Sequence, residues 1–326
     1  MTDGTWTADD VPNLDGRTVV VTGANSGLGL AGARVLARHG AAVVLACRSV
    51  DRGAAAAEDI RRSVPDATLD VRELDLGDGA SIAAFAEGFT DEYDELHVLC
   101  NNAGVMALPY GETADGFERQ MGVNHLGHFA LTGHLLDVLC ATPGESRVVT
   151  QSSGLHERGA FPDLTDEDAA SLLHAEAAYD KWDAYGRSKL ANLLFAFELD
   201  RRLAAAGEDE VVSLGCHPGY ADTGLQRRGP EQAGSTLRLL MMKVANAVVA
   251  QDAETGTLPM CYAATADGIE GGEYVGPGGF MQMRGYPERQ TPSSRARDEE
   301  LARRVWTASE ELTGVSFDLR PTTTAD

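Results

Sequence analysis

Segment 183–192 carries a tyrosine and a lysine whose spacing suits acid–base chemistry. Tyr185 and Lys189 are four residues apart, so a helix would place the phenol and the ammonium on one face. A free phenol has a pKa of about 10, and a nearby cation favours the phenolate and lowers that pKa. The pair therefore predicts a proton donor beside the charge that tunes it, although an isolated pair of this kind is usually two unrelated helix residues.

Apolar runs and helical patterns alternate along the chain and predict the scaffold that would hold this pair. A strand at 17–22 stops at a glycine turn, a helix follows, and 41–47 is a second strand. Further units follow, including one long helix at 117–139 and a short last strand at 273–275. Repeated β-α units predict an α/β fold, here a single Rossmann-type doubly wound parallel sheet of about seven strands with helices on both faces.

The chain has no linker, repeat or low-complexity segment, so we expect one domain over residues 1–326. Residues 1–16 are predicted to form a polar N-terminal arm, and the polar segment 154–178 is an insertion before the Tyr185 helix. Residues 225–250 contain an apolar cluster that suits a lid over the substrate, a membrane-skimming helix or a dimer contact. We favour the substrate lid.

Composition restricts the class of protein. Hydrophobic residues make up 43% of the chain, which is enough for a packed core. No apolar run is long enough for a transmembrane helix, and the start resembles no secretory signal. The five cysteines are not closely spaced, which favours a cytoplasmic protein without a disulfide framework or a metal site. His125 and His128, three residues apart, are predicted to serve the core rather than a metal.

The charge of the chain is strongly negative. Lys and Arg number 27 and Asp and Glu number 50, for a net charge of −23. Such a surface repels nucleic acid and anionic membranes. Lysine occurs only at positions 181, 189 and 243, which makes a chance lysine four residues after Tyr185 less credible. Acidity with scarce lysine predicts a halophilic protein, and a high-GC genome that favours arginine is the alternative.

A glycine-rich turn joins the first strand to the first helix. Its spacing, Gly23-x-x-x-Gly27-x-Gly29, lets the backbone approach a pyrophosphate whose charge the helix N-terminus stabilises. Glycine also makes ordinary tight turns, but this position between a valine-rich strand and a helix predicts a nucleotide site. The second strand ends at Arg48, followed by Arg52; an acid there would favour NAD, whereas arginine favours the 2′-phosphate of NADP(H). A surface ion pair is the other interpretation of Arg48.

Several motifs, taken in chain order, resemble the short-chain dehydrogenase/reductase family. They are 22–29 (TGANSGLG), 101–104 (NNAG), Tyr185-x-x-x-Lys189 and Pro218-Gly219, and the resemblance covers nearly the whole chain. Four local sequences are similar to the retinol-dehydrogenase and protochlorophyllide-reductase-like branch. They are 45–48 (LACR), 123–129 (VNHLGHF), 188–192 (SKLAN) and 217–219 (HPG). Jointly the motifs are specific, although each one alone is not.

The resemblance implies a catalytic set of Asn124, Ser153, Tyr185 and Lys189. Asn124 would hold a water that relays protons toward Lys189, and Ser153 and Tyr185 would bond the substrate carbonyl oxygen. Ser152 also stands at the end of the fifth strand, but the family pattern favours Ser153. Ser153 and Tyr185 are 32 residues apart, further than in many members. The longer gap implies a reshaped pocket entrance.

The same resemblance implies the cofactor contacts and the activity. The residues expected to line an NADP(H) molecule, in addition to Tyr185 and Lys189, are Gly23, Asn25, Ser26, Gly27, Leu28, Gly29, Arg48, Asp75, Leu76, Asn102, Ala103, Gly104, Pro218, Gly219 and Thr223. Thr223 is equally suited to be a helix N-cap. The implied reaction interconverts a carbonyl and an alcohol by hydride transfer on a small-molecule substrate, in a chain that can form a homodimer or homotetramer. The alternatives are a non-catalytic NADP-binding sensor or scaffold and an NAD-linked alcohol dehydrogenase.

Overall fold

The computed structural model describes residues 5–162, 164–165, 168–219 and 252–319 of the 326-residue chain. Its strands are β1 (Thr18–Thr22), β2 (Ala42–Cys47), β3 (Leu69–Glu73), β4 (Val98–Asn101), β5 (Ser146–Gln151), β6 (Val211–Cys216), β7 (Tyr274–Pro277) and β8 (Pro287–Gln290). Its α-helices are α1 (Gly27–Arg38), α2 (Val50–Ser63), α3 (Gly79–Thr90), α4 (Arg119–Met121), α5 (Gly127–His134), α6 (Leu136–Ala141), α7 (Lys181–Ala206), α8 (Ala253–Thr265) and α9 (Glu299–Thr313). Thr223 and the segment 225–250, interpreted above as a lid, lie outside the described residues.

The described strands form one sheet in the order β3-β2-β1-β4-β5-β6-β7-β8. Adjacent strands from β3 to β7 pair in parallel, and β8 pairs antiparallel with β7. The predicted doubly wound sheet is therefore confirmed, with eight strands rather than about seven. The sequence Pro-Glu-Arg-Gln of β8 has no apolar run and no alternation, so periodicity gave no sign of this edge strand.

Alternate residues of the central strands pack into cores on opposite faces of the sheet. Val19 and Val21 of β1 belong to the cluster under α1, α2 and α8, whereas Val20 belongs to the cluster under α3, α5 and α7. Since side chains alternate along a strand, a run of valines can fill both cores. The sheet is thus covered on both faces, and its carboxyl edge is left for the loops that carry function.

Residues 5–16, the described part of the predicted N-terminal arm, pack against the rest of the domain. The ring of Trp6 lies edge-on to Tyr262 of α8, with ring centroids 5.2 Å apart. Val11 and Leu14 are buried in the core. The insertion 154–178, where described, contains 3-10 turns at Gly154–Arg158, Ala169–Leu172 and Glu176–Ala178.

The prediction of one continuous helix at 117–139 is wrong, because the structure divides this segment into several helical pieces. Glu118 is the N-cap of α4, where its carboxylate accepts hydrogen bonds from the backbone N–H groups of Gln120 and Met121. A π-helical turn at Gly122–Leu126 then inserts an extra residue into the helical ladder. Leu135, with φ −100° and ψ 3°, separates α5 from α6. Within the described residues, no helix combines the length and the apolar character needed to span a membrane.

Candidate active site

Helix α7 holds Tyr185 and Lys189 at the carboxyl edge of the sheet. The carboxylate of Asp180 caps its N-terminus by accepting from the N–H groups of Trp182 (2.8 Å) and Asp183 (3.0 Å). One turn later the helix is covered, and Tyr185 and Lys189 are only 5% and 3% exposed. The predicted helical spacing therefore does place the phenol and the ammonium together, in a buried environment.

Lys189 reaches across to the end of strand β5. Its Nζ donates to the backbone oxygen of Gln151 at 3.0 Å and lies 5.9 Å from the centroid of the Tyr185 ring. The same oxygen accepts from the side-chain amide of Asn192 at 2.9 Å. The end of β5 is thus tied to two successive turns of α7, which fixes the distance between the strand end and the phenol.

The two serines that follow β5 have different roles in the structure. The hydroxyl of Ser152 is buried and donates to the backbone oxygen of Lys189 at 2.7 Å, so it fastens the strand to the helix. Ser153 shares a side-chain hydrogen bond with Tyr185 and accepts from the N–H of Leu155 at 3.2 Å. This geometry supports Ser153, rather than Ser152, as the serine beside the reacting groups.

Burial dominates the proton affinities of this group. It raises the pKa of Tyr185 to about 12, against a smaller lowering by the hydrogen bond with Ser153. It also lowers the pKa of Lys189 to about 8, because an ammonium is costly in a dry environment. The lowering of the Tyr185 pKa expected from its neighbouring lysine is therefore wrong for the protein alone: burial raises this pKa, and the hydrogen bond with Ser153 is what opposes the rise. With its pKa raised in this way, Tyr185 holds its proton at neutral pH.

Asn124 lies in the π-helical turn and is fully buried. Its Oδ1 accepts from the N–H of Val105 at 2.7 Å, and its Nδ2 donates to the oxygen of Val105 and to the hydroxyl of Ser188, both at 2.9 Å. Both amide hydrogens are thus engaged, so a relayed water would have only a lone pair of Oδ1 to contact. In this structure Asn124 mainly fixes the loop that follows β4.

A cavity of about 800 Å³ opens at the carboxyl ends of β1, β2 and β3. The residues predicted for the glycine turn, the second and third strand ends and the NNAG motif all line it: Gly23, Asn25, Ser26, Gly27, Leu28, Gly29, Arg48, Asp75, Leu76, Asn102, Ala103 and Gly104. The predicted cofactor residues therefore come together around one space, although they derive from four separate loops.

Glycine is required where the turn packs most closely. A Cβ on Gly29 would lie 2.5 Å from Nδ2 of Asn102 and 2.6 Å from the oxygen of Gly23. Gly23 itself has a φ of +68°, in the left-handed region that favours glycine. The turn leads directly into α1, a helix of 12 residues whose N-terminus opens on the cavity. Backbone N–H groups at such an end stabilise a phosphate.

The chemistry of the cavity fits an anionic dinucleotide. Arg48 and Arg52 line it just beyond β2, and both side chains are exposed and available to a ligand. The carboxylate of Asp75, beyond β3, accepts from the N–H of Gly77 at 3.0 Å and fixes that loop. Arginine at this position suits a phosphate more than a ribose hydroxyl.

Several predicted site residues among those described do not line this cavity, including Ser153, Tyr185, Lys189, Pro218 and Gly219. Of these, Lys189 lies next to its wall. Gly104 and Gln151 belong to its wall. A Cβ on Gly104 would lie 3.1 Å from Oδ1 of Asn124 and 3.5 Å from Nζ of Lys189. The absence of a side chain at Gly104 therefore leaves Lys189 next to the cofactor groove.

Gln151 is a site residue that sequence reasoning missed. Its Nε2 donates to Oδ1 of Asn102 at 3.1 Å, and its Oε1 accepts from the thiol of Cys216 at 3.6 Å. It thereby links the ends of β4, β5 and β6. Its position immediately before Ser152-Ser153, at the end of a central strand, was the signal that could have identified it.

His217 and Pro218-Gly219 follow β6 and are fixed by the edge of the sheet. Nδ1 of His217 accepts from the N–H of Gly219 at 3.3 Å, and Nε2 lies 2.9 Å from Oε1 of Gln290 in β8. Gly219 has a φ of +65°, and a Cβ there would lie 2.5 Å from the oxygen of Met283. Burial lowers the pKa of His217 to about 4, so it is neutral.

His125 and His128, on the helical segment after β4, are bonded within the core. The Nε2 atom of His125 lies 2.8 Å from the hydroxyl of Ser309. His128 lies 2.9 Å from both the hydroxyl of Thr22 and the oxygen of Asn124. Within the described chain, no three histidine, cysteine or carboxylate side chains are grouped as a metal site would require.

Comparison with known proteins agrees with this geometry. The family model for short chain dehydrogenases matches residues 17–161. Retinol dehydrogenase 12 of Homo sapiens is 42% identical over 307 residues, which cover 94% of this chain and 89% of that protein. Polyprenol dehydrogenase of Mus musculus is 41% identical over 307 residues, with 93% and 86% covered. The solved structure of an uncharacterised protein from Mycobacterium paratuberculosis has a TM-score of 0.77 and 41% identity, covering 97% of this chain and 100% of that one.

The matches to the two dehydrogenases and to the solved structure confirm the resemblance inferred from the motifs, because they extend over nearly the full length of the chain and of each relative. The chain therefore belongs to the short-chain dehydrogenase/reductase family, in its retinol dehydrogenase-like branch, and is an NAD(P)-dependent oxidoreductase of alcohols and carbonyls.

Proposed function

We propose that the protein uses NADP(H), with Tyr185 as the group that gives a proton to a carbonyl oxygen or takes it back from an alcohol. The observation that carries the proposal is the buried pair of Tyr185 and Lys189, with Ser153 bonded to the phenol, beside a groove whose glycine turn and two arginines suit NADP(H). A binding protein would need the groove but not the buried phenol and ammonium.

The proposed roles follow from the proton affinities. Tyr185 is protonated at neutral pH, because burial raises its pKa to about 12. A carbonyl oxygen that accepts hydrogen bonds from Tyr185 and Ser153 is stabilised as negative charge develops on it, and Tyr185 then passes its proton to that oxygen. A bound nicotinamide cofactor supplies the hydride. The ammonium of Lys189 stabilises the phenolate that remains.

We extend the proposal to an apolar substrate. The two relatives named above are called a retinol and a polyprenol dehydrogenase, and both names denote long apolar alcohols. Their identity to this chain of about 40% extends through the segments that carry Ser153 and Tyr185. An aldehyde or alcohol with an extended hydrocarbon chain is therefore the class to test first.

A substrate panel tests the proposal directly. Retinal, a linear long-chain aldehyde and a compact aromatic ketone would each be supplied with NADPH or NADH, with Tyr185→Phe as the matched inactive control. We expect NADPH-dependent turnover that is faster for the apolar aldehydes. Tight NADPH binding without turnover of any carbonyl would instead favour a sensor or scaffold, and equal or better turnover with NADH would favour an NAD-linked dehydrogenase.

The remaining properties belong to the same proposal. The net charge of −23 supports salt adaptation, so activity should rise from low to multimolar KCl, and full activity at low salt would oppose that idea. All five cysteines are free thiols, which supports a reducing, cytoplasmic location. One domain and a homodimer or homotetramer stay predictions, and size-exclusion chromatography with light scattering would decide the oligomeric state.

A further inference from the structure

His156 lies directly behind Ser153 and is used by neither the cofactor groove nor the proposed proton transfer. It is 3% exposed and lies in the 3-10 turn Gly154–Arg158. Its Nδ1 is 2.8 Å from the backbone oxygen of Ser153, which also accepts from the N–H of His156 at 2.9 Å. The serine carbonyl therefore receives two hydrogen bonds from one residue.

The far side of the same ring is held by the segment that follows β8. Nε2 of His156 accepts from the N–H of Ser293 at 3.2 Å. A carbonyl oxygen can only accept and an N–H can only donate, so these contacts require a neutral ring with its proton on Nδ1. Burial also lowers the pKa of His156, in agreement with a neutral ring.

An aromatic contact fixes the plane of the ring. His156 lies edge-on to Tyr274 of β7 with centroids 5.7 Å apart, and His217 stacks on the same tyrosine at 5.2 Å. The ring of His156 is thus constrained by the strand edge on one side and by Ser293 on another. A group held in this way can transmit its position to whatever it bonds, which here is the backbone of Ser153.

We propose that His156 is a positioning residue that holds Ser153 in place through its Nδ1–H, with Ser293 fixing the ring from behind. The inference rests on the proposed function of Ser153 and adds a residue to its machinery. Reacting groups displaced by about 1 Å lose about 100-fold in rate, so a residue that sets the serine backbone can affect turnover without touching substrate.

Substitutions of His156 that keep or remove single hydrogen bonds distinguish the positioning role from a general contribution to stability. His156→Phe keeps a ring against Tyr274 but removes both hydrogen bonds, and should lower kcat for carbonyl reduction by about 10- to 100-fold. His156→Asn places an amide N–H near the former Nδ1 and should recover much of the loss, whereas His156→Gln places its amide near the former Nε2 and should recover less. The KM for NADPH should stay within about twofold, since the groove is lined mainly by the loops after β1 to β4 and His156 is not part of its lining.

His97→Phe is the matched control. His97, like His156, is a buried histidine with a ring nitrogen that accepts from a backbone N–H. In His97 this nitrogen is Nδ1 and the donor is Thr18, at the opposite edge of the sheet. It should lose stability without loss of kcat. Similar kcat for His156→Asn and His156→Gln, or wild-type kcat for His156→Phe, would overturn the inference.

A double variant provides the sharpest test. If His156 acts only through Ser153, then adding His156→Phe to Ser153→Ala should slow the enzyme no further, within about twofold. Effects that multiply would show that His156 acts independently of the serine and would overturn the inference.

An NMR experiment does not depend on activity. Imidazole nitrogen shifts, assigned by difference against His156→Asn, should report the neutral Nδ1–H tautomer at neutral pH. An Nε2–H tautomer or a charged ring would contradict the inference even in an active enzyme. The expected tautomer in a protein without carbonyl turnover would instead show that the proposed function, and not this contact, is what fails.

Discussion

The cofactor half of the candidate site and the half that holds the proposed catalytic residues, termed the catalytic half, are built on different principles. The cofactor half comprises the loops after β1 to β4, where the cavity is lined by backbone, glycine and solvated charges such as Arg48 and Arg52. The catalytic half comprises the loops after β5 and β6 together with α7. There Tyr185 and Lys189 are almost fully buried and are tied to strand ends by hydrogen bonds.

The difference reflects what each half must do. A charged ligand can be bound by N–H groups and arginines that stay solvated until it arrives. A proton donor needs a defined pKa, and here burial moves the pKa of Tyr185 up to about 12 and that of Lys189 down to about 8. We therefore expect binding and chemistry to be separable by mutation, and the following predictions test how completely.

The largest effect should come from Tyr185→Phe. Removing the hydroxyl takes away the proton donor while keeping the ring, so kcat should fall by about 1000-fold, within the usual range for general acid–base catalysis. The dissociation constant for NADPH, measured by fluorescence titration, should change by less than about twofold. A comparable loss of NADPH affinity would show that the two halves are one binding unit, and near-wild-type turnover would remove Tyr185 from the mechanism.

Gly29→Ala should have the opposite effect, weakening NADPH binding while leaving kcat nearly unchanged. A Cβ there would meet Asn102 and the backbone of Gly23. Such overpacking costs about 1–3 kcal/mol, which would weaken NADPH binding by about 5- to 150-fold if the turn shifts in the binding site. Turnover at saturating NADPH should stay close to wild type. Gly88→Ala, in α3, is the matched control, because its nearest neighbour would be a flexible arginine end at 3.7 Å. A loss of kcat in Gly29→Ala with unchanged affinity would reverse the assignment of the two halves.

The two halves also differ in how well the sequence predicted them. The groove residues follow apolar strands at fixed positions, and the carboxyl ends of parallel strands meet at one edge, so local patterns predicted that Gly23 to Gly29 and Arg48 share one site. The family resemblance added 102–104, which line the same cavity. The α7 pair was also predictable from a local pattern, because Tyr185 and Lys189 are separated by one turn of helix.

The parts that were not predicted depend on contacts between distant residues. Ser293 reaches His156 and Gln290 reaches His217 across long stretches of chain, and β8 has no apolar pattern that would predict the edge strand. The direction of the Tyr185 pKa was wrong because the cost of burial is set by the whole surrounding fold, whereas the spacing to Lys189 gives only the pairwise part. The π-helical turn around Asn124 likewise has no local signature.

Arg48→Ala should give a moderate effect confined to the cofactor half. If Arg48 bonds the 2′-phosphate at an exposed position, its removal should weaken NADPH binding by about tenfold and leave NADH binding unchanged, since charge-assisted hydrogen bonds contribute about 1.5–3 kcal/mol and exposure reduces this. Arg62→Ala is the control, because Arg62 is 73% exposed on α2 and pairs with Asp59 outside the groove. An unchanged preference for NADPH over NADH would exclude Arg48 as the selecting residue.

The smallest effect should be a change in stability. Lys189→Met should lose function, but it should also raise the free energy of unfolding slightly. The pKa of Lys189 falls from 10.5 to about 8 in the folded protein, which corresponds to about 3 kcal/mol of unfavourable charge burial at neutral pH. Methionine has a similar shape and removes that cost, although the bond to Gln151 is lost; the oxygen of Gln151 keeps Asn192 as a partner. We expect a net gain of about 1 kcal/mol in the free energy of unfolding at pH 7.

The pH dependence of that gain identifies its cause. Because the folded protein releases the Lys189 proton at a lower pH than the unfolded chain, the cost of burying the charge is complete below about pH 8 and disappears as the pH rises toward 10.5. The difference between Lys189→Met and wild type, measured by denaturant unfolding, should therefore shrink over this window. Lys181→Met, at the partly exposed start of α7, should show no such trend. A difference that stays constant with pH would mean that methionine improves packing instead, and that burial of the charge is not what sets the proton affinity of the catalytic half.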